Sequence, residues 1–346
     1  MKQPRYLPAL AAMRFLGVWP ALICSACQIL PGLEIEDTYV QASSVDLLIV
    51  MDNSLSMQGP GQEQEQVVNG FSSLTEELDF SGLDYHIGLT SMDMLEGSKG
   101  QLIEVDSYRY ITSSMDAELR NSLFTQMVDS LGDGSGWEKG LLAARTALVD
   151  KSGEGSVNQG FARSYANLSI IFISDEDDCS DKFNPLPGIA QAECYTLANQ
   201  LDPVSYYVSQ YEQTKPEPGM VKLVSIVGPQ GLDNETECGA NTSAGVRYIE
   251  AVHIVDGINE DICTPNFDAF MPDIASYVGG MRTRFFLSRV PRVSTIEVSV
   301  LDEAVSQECC WSYDTRLNAV CFNEEDVPPA GSVVHITYRA ASTTLE

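Results

Sequence analysis

The chain has 346 residues, with 49 Asp or Glu against 20 Lys or Arg, so that its formal net charge is −29. A field of this sign repels the phosphates of nucleic acids and anionic lipid headgroups, and it excludes a nucleic-acid partner. The hydrophobic fraction of 44% is that of an ordinary globular protein, and the length allows one full-sized domain and a smaller one.

The first 26 residues have the features of an export signal. Basic residues precede an apolar run at 15–23, which is too short to span a bilayer as a helix. The sequence Ser25-Ala26-Cys27 resembles the end of a bacterial lipobox, in which the cysteine becomes the lipidated first residue. We therefore expect an exported lipoprotein of the bacterial outer membrane or cell surface, attached to the membrane only through Cys27. A periplasmic or secreted protein is the alternative.

Residues 27–44 show no clear period and are interpreted as a tether. From 45 to 290, buried apolar runs alternate with amphipathic segments, which predicts an α/β fold with a doubly wound, mostly parallel sheet and helices on both faces. The predicted strands lie at 45–51, 83–90, 168–174 and 221–227, with edge strands within 101–111 and a closing strand at 285–288. The predicted helices lie at 62–78, 117–131, 137–149, 195–213 and 267–278.

The last part of the chain, 291–346, has a different pattern. Short alternating runs are separated by turn residues, and no helical period is visible. These runs lie at 294–301, 310–313, 319–322 and 333–338. They predict a small, all-β C-terminal appendix.

Seven cysteines follow Cys27, and their spacing matches no zinc site. Because an exported protein meets an oxidising environment, we expect disulfides. Local pairing predicts Cys179–Cys194, Cys238–Cys263, and Cys321 with either Cys309 or Cys310. One thiol of the adjacent pair would then be free or used between chains.

Two of the predicted strands end at a carboxylate. The run 45–51 is followed by Asp52, with Ser54 and Ser56 at alternate positions, and the run 168–174 is followed by Asp175. The carboxyl ends of parallel strands meet at one edge of the sheet, where such folds bind ligands. Oxygen ligands favour Mg²⁺, Ca²⁺ or Mn²⁺ over zinc or copper. The alternative is that Asp52 and the two serines only cap the following helix.

The D-x-S-x-S pattern after a buried strand resembles the metal-ion-dependent adhesion site (MIDAS) of von Willebrand factor type A (VWA) domains. The resemblance covers roughly 45–290. Ser135, in a Gly-Ser pair before an Ala- and Leu-rich segment, lies where those domains have a Gly-Thr pair and offers the same hydroxyl. The resemblance implies that the serines contact a divalent cation directly or through water, while the aspartates act largely through bridging waters. The implied metal ligands are Asp52, Ser54, Ser56, Ser135 and Asp175.

Three more acids, Glu176, Asp177 and Asp178, follow Asp175. A run of four adjacent acids is typical of a solvated loop, and additional metal ligands are the alternative interpretation. The whole chain also resembles a group of predicted bacterial surface lipoproteins with a VWA domain. The shared segments are S-D-E-D-D at 174–178, W-S-Y-D at 311–314 and P-P-x-G-S at 328–332.

The VWA resemblance implies an adhesion module on the cell surface, whose metal ion accepts an exposed Asp or Glu of a protein or peptide partner. Two alternatives are an exported phosphohydrolase that uses the strand-terminal aspartates and a structural envelope protein with a vestigial metal site. A strand–Asp–x–Asp phosphohydrolase uses its second aspartate as acid and base, but Ser54 stands at that position. No G-x-S-x-G nucleophile elbow occurs either. We therefore expect a binding protein rather than an enzyme.

Overall fold

The computed structural model describes residues 33–58, 62–181, 198–231, 242–323 and 326–341. The predicted export signal, Cys27, Cys194 and Cys238 lie outside these residues. Within the described residues, no helix is both long and apolar enough to cross a bilayer.

The described residues form thirteen strands and six α-helices. The strands are β1 (Glu34–Val40), β2 (Ser44–Met51), β3 (Asp84–Ser91), β4 (Ile111–Thr112), β5 (Asn167–Ser174), β6 (Val221–Val227), β7 (Ile258–Asp261), β8 (Arg284–Phe286), β9 (Glu297–Val300), β10 (Glu303–Val305), β11 (Trp311–Asp314), β12 (Ala319–Phe322) and β13 (Val333–Arg339). The helices are α1 (Glu63–Phe80), α2 (Ala117–Asp129), α3 (Gly140–Arg145), α4 (Val204–Glu212), α5 (Val246–Ile254) and α6 (Met271–Val278).

The central sheet has six strands in the order β4-β3-β2-β5-β6-β7, and all neighbours are parallel except β4, which runs antiparallel to β3. Every residue of β2 is buried, as expected for a strand covered on both faces. Leu47 and Ile49 enter the core beneath α1, α2 and α6. Leu48 and Val50 enter the second core, beneath α3, α4 and α5. The predicted doubly wound, mostly parallel fold is therefore confirmed.

Several predicted elements differ from the observed ones. The helix predicted at 137–149 begins only at Gly140, and after Arg145 it widens into a π-helical turn over Thr146–Asp150. The helix predicted at 195–213 is observed as α4, which begins directly after Pro203. Residues 195–197 of the predicted helix lie outside the described part of the chain. Of the edge strands predicted within 101–111, only the short β4 is observed. The elements β7 and α5 were not predicted.

The appendix consists of two antiparallel sheets, ordered β1-β13-β9-β10 and β11-β12-β8. It therefore includes β1 and β8 in addition to the strands of 291–346. The prediction of a tether was wrong for 34–40, because this segment is β1 and pairs along its whole length with β13. Its exposed residues Glu34 and Glu36 alternate with the inner face, where Ile35 and Tyr39 pack against the appendix core. The prediction that 285–288 closes the central sheet was also wrong: Phe285 is buried in the appendix core, and β8 pairs with β12.

The cysteine pairing in the appendix also differs from the prediction. Cys309 and Cys310 are bonded to each other, and Cys321 is free. The strand register explains why Cys321 is not their partner. It lies opposite Ser312, whereas the backbone N–H of Asn323 donates to the carbonyl of Cys310 at 3.0 Å. Elsewhere, Cys179 and Cys263 each form a disulfide. The partners predicted for them, Cys194 and Cys238, lie outside the described residues.

A buried ion pair ties the loop before β5 to the start of β2. Asp46 is fully buried, and it accepts hydrogen bonds from the backbone N–H and the Nε of Arg163, the latter at 2.7 Å. Lys215 Nζ lies 3.7 Å from the same carboxylate. Burial raises the pKa of Asp46, and the two bonds from Arg163 oppose that rise. The charge on Asp46 therefore depends on Arg163.

We predict that Arg163→Met lowers the free energy of unfolding by about 3–5 kcal/mol, because it leaves a buried carboxylate without its main partner. Urea denaturation at pH 7 measures the loss. Arg109→Met is the matched control, since Arg109 pairs with Glu104 at the surface and such pairs contribute at most about 1 kcal/mol. Equal losses in the two variants would contradict the role given to Arg163.

Candidate metal centre

Three loops meet at the carboxyl edge of the central sheet. The loop after β2 is held by a hydrogen bond from Asp52 N to the carbonyl of Ile173 at 3.0 Å, which places it beside the end of β5. The loop before α3 joins them, because Gly134 N donates to the carbonyl of Asn53 at 2.8 Å. The sequence positions predicted to bind a cation therefore come from three segments that are in contact.

Asp52 lies at the centre of this edge and is 0% exposed. Its Oδ1 accepts a hydrogen bond from Ser54 N at 2.7 Å, and its Oδ2 accepts one from the hydroxyl of Ser174 at 2.7 Å. Burial raises the pKa of Asp52, and these bonds counteract the rise. Ser174 was not among the predicted site residues, although it is the last residue of β5.

Ser54, Ser56 and Asp175 lie around Asp52. The hydroxyls of Ser54 and Ser56 are 2.9 Å apart, and the carboxyl group of Asp175 interacts with both Ser56 and Asp52. Burial, followed by the charge of Asp52, raises the pKa of Asp175 to about 8. The structure thus brings four of the five predicted ligands into one cluster.

Ser135, the fifth predicted ligand, lies on the loop in contact with Asn53. Its backbone N–H donates to Asp93 Oδ2 at 2.9 Å, while its hydroxyl is buried and has no hydrogen-bond partner among the described residues. Asp93 also accepts from the backbone of Leu95 and Glu96. Burial alone would raise the pKa of Asp93, but these three backbone donors outweigh it and lower the pKa. Asp93 thereby holds the Ser135 loop in place.

Two glutamates complete the acidic cluster: Glu138, which was not predicted to belong to the site, and Glu176, for which metal ligation was the alternative interpretation. One carboxylate oxygen each of Asp52, Glu138 and Glu176 lie within 4.8 Å of one another. Glu138 is only 1% exposed, and burial followed by the charge of Asp52 raises its pKa well above the usual value. Burial and Asp52 likewise raise the pKa of Glu176 to about 8. The sequence did contain a signal for Glu138, because this acid follows Ser135 by three residues and directly precedes an apolar helix.

The cluster and the adjoining loop of Ser135 contain several buried oxygen atoms that no described donor satisfies. They are Ser135 Oγ, Glu138 Oε1 and Oε2, Asp175 Oδ1 and Glu176 Oε2. Leaving such groups unpaired costs free energy, and leaving several like charges together costs more. A divalent cation with oxygen ligands would pair with these atoms and offset the like charges. The residues present therefore fit the divalent cation that the sequence implies.

The other two acids of the run have structural roles, so the prediction of a solvated loop was wrong for them. Asp178 is fully buried and accepts hydrogen bonds from Leu141 N at 3.0 Å, at the start of α3, and from Arg247 Nε at 3.0 Å. Asp177 accepts from Arg247 N at 2.8 Å. Because α3 and α5 both present N–H donors there, these carboxylates become buried rather than solvated.

The doubly wound sheet carries the D-x-S-x-S loop at its carboxyl edge, in contact with the loop of Ser135 and with Asp175. This arrangement resembles that of a VWA domain. No family profile matches the chain. No curated protein matches it either.

Solved structures similar to this chain include the following three. A von Willebrand factor type A protein from Catenulispora acidiphila is 11% identical over 91% of this chain and 67% of its own, with a TM-score of 0.37. The pilus adhesin SpaC from Lactobacillus rhamnosus GG is 11% identical over 91% of this chain and 42% of its own, with a TM-score of 0.42. Proximal thread matrix protein 1 from the mussel byssus, with a zinc-occupied MIDAS motif, is 10% identical over 70% of this chain and 48% of its own, with a TM-score of 0.37.

We predict that, in EDTA, the free energy of unfolding falls as the pH rises from 5 to 8. The folded protein holds protons on Asp175 and Glu176 up to about pH 8, whereas the unfolded chain releases them near its ordinary pKa values of 3.8 and 4.5. The stabilisation is therefore complete below pH 4 and is lost as the pH rises towards 8. Urea denaturation at several pH values measures it.

The matched control is the double variant Asp175→Asn and Glu176→Gln, which has no proton to release at these positions. Its stability at pH 8 relative to pH 5 should exceed that of the wild type by at least about 1.4 kcal/mol, the equivalent of one pKa unit. Parallel curves for the two proteins would refute the assignment of these protons.

Proposed function

We propose that this protein is a metal-dependent protein-binding module, exported and attached to the bacterial cell surface. The observation that carries the proposal is the set of buried, unsatisfied oxygens of Glu138, Asp175 and Glu176, which lie beside Asp52, together with that of Ser135 on the adjoining loop. A structural acid cluster would be expected to find donors of its own, as Asp177 and Asp178 do.

Asp52, Ser54, Ser56, Ser135 and Asp175 would hold the cation, with Glu138 and Glu176 beside them. When bound, a divalent cation such as Mg²⁺ or Mn²⁺ offers a coordination position that a carboxylate from another molecule can take. Glu176 is the most accessible of the four acids, being half-buried where the others are buried. A partner carboxylate would therefore approach from the side of Glu176.

The geometry of Asp52 favours a binding role over the phosphohydrolase alternative. A nucleophilic aspartate must present a free oxygen to its substrate. Asp52 is 0% exposed, and both of its oxygens accept hydrogen bonds, from Ser54 N and from the Ser174 hydroxyl. Such an aspartate can orient the ligands around it but has no access to a phosphate ester.

A second candidate is a structural protein whose cation is enclosed by its own acids. The observation that favours it is the number of carboxylates: Asp52, Glu138, Asp175 and Glu176 together exceed the charge of one divalent ion. In that case the cation would stabilise the fold and no external carboxylate would bind. The two candidates agree on metal binding and differ only in the partner.

Selection of a phage-displayed random peptide library on the immobilised protein tests the proposal. In excess MnCl₂, we expect enriched peptides to share an Asp or Glu. The same peptides should elute with EDTA, because the bound carboxylate depends on the cation. Asp52→Ala should lose these peptides, whereas Glu118→Ala, which removes an exposed acid of α2, should retain them.

A selection that yields no cation-dependent peptide, while Mn²⁺ still raises the melting temperature of the wild type but not of Asp52→Ala, would favour the structural candidate. Peptides that bind equally well in EDTA would exclude the metal-dependent mechanism.

A further inference from the structure

A cavity of about 590 Å³ lies at the opposite edge of the central sheet from the acidic cluster. It is bounded by Asn167 and Lys222 at the amino-terminal ends of β5 and β6, and by Tyr277 near the end of α6. It is also lined by residues 280–284, which reach the start of β8, and by residues 40–42, which follow from the end of β1 towards β2. The cavity therefore lies where the central domain meets the appendix.

Lys222 brings a positive charge into this cavity. Its Nζ donates to the carbonyl of Tyr277 at 2.6 Å and lies 4.4 Å from the centroid of the same ring. Burial, followed by the charge of Arg282, lowers the pKa of Lys222 to about 8. An ammonium group has three N–H donors, and the hydrogen bond to Tyr277 uses one of them.

Two arginines line the same cavity. The guanidinium of Arg282 lies 5.9 Å from the centroid of the Tyr39 ring, and Arg284 follows on β8. Within the described part of the chain, no carboxylate forms an ion pair with these arginines or with Lys222. Glu217 also lines the cavity, and Arg284 acts at longer range on Asp314.

The backbone around Arg282 is held in place from the central domain. Gln41 Oε1 accepts a hydrogen bond from Arg282 N at 2.9 Å, and Gln41 Nε2 donates to the carbonyls of Arg282 at 3.0 Å and of Pro328 at 3.1 Å. Gln41 is itself 1% exposed. The arginine therefore extends from a fixed point, which reduces the entropy lost when it binds a ligand.

Like charges that line one cavity repel one another when no ion pair neutralises them. Three such cations are notable in a chain whose net charge is −29. We propose that this cavity binds a small molecule bearing an oxyanion, a phosphate or a carboxylate, through Lys222, Arg282 and Arg284. Guanidinium groups bind both oxyanions through paired hydrogen bonds, and the ammonium adds a point charge. The volume is that of a small-molecule site and leaves room for a body attached to the oxyanion.

Isothermal titration calorimetry of the whole chain in EDTA tests this inference with three probes: inorganic phosphate, glucose 6-phosphate and citrate. Sodium chloride at matched ionic strength is the blank. We expect saturable binding of at least one probe with one site per chain. Arg282→Gln and Lys222→Met should each weaken it about tenfold or more, because each removes a charged donor.

Arg289→Gln is the matched control, since it removes an exposed positive charge of the same region outside the cavity and should leave the affinity unchanged. Arg282 is exposed, so its variant decides the question even if Lys222→Met does not fold. Asp52→Ala should bind the probe like the wild type, which separates this site from the metal centre. The inference is overturned if no probe gives saturable heats, or if Arg289→Gln weakens binding as much as Arg282→Gln.

Discussion

The crowding of carboxylates at the carboxyl edge of the central sheet is the constraint on which the rest of the structure depends. Asp52 and Asp175 are brought together because β2 and β5 are parallel neighbours that end at the same level. Glu138 and Glu176 add two further acids. Burial raises the pKa of all four, and the charge of Asp52 raises it further for Glu138, Asp175 and Glu176, so a divalent cation would relieve an unfavourable arrangement at this edge.

The remaining polar contacts at this edge hold the loops so that the cluster cannot relax by moving apart. Asp93 holds the loop of Ser135 by accepting a hydrogen bond from Ser135 N, and Asp178 joins α3 to α5 through Leu141 N and Arg247. At the other end of the sheet, Lys222 lines a cavity with two arginines.

The sequence predicted the buried strands and the acids at their ends because both signals are local. A continuous apolar run such as 45–51 specifies a strand covered on both faces, and it makes Asp52 and Asp175 neighbours through a general property of parallel sheets. Glu138 was missed because its burial results from three loops packing together. The strand β1 was missed because Asp37 lies between Ile35 and Tyr39 on the inner face and interrupts their apolar alternation. Pairing with β13, nearly 300 residues away, is a tertiary contact that local propensity does not encode.

The most direct test of the central claim is a crystal structure of the protein grown with MnCl₂, with diffraction data collected near the manganese absorption edge. We expect one strong anomalous peak within coordination distance of the Ser54 and Ser56 hydroxyls, between Asp52 and Asp175. A well-ordered carboxyl edge without such a peak, or a peak only at surface acids such as Glu118, would contradict it.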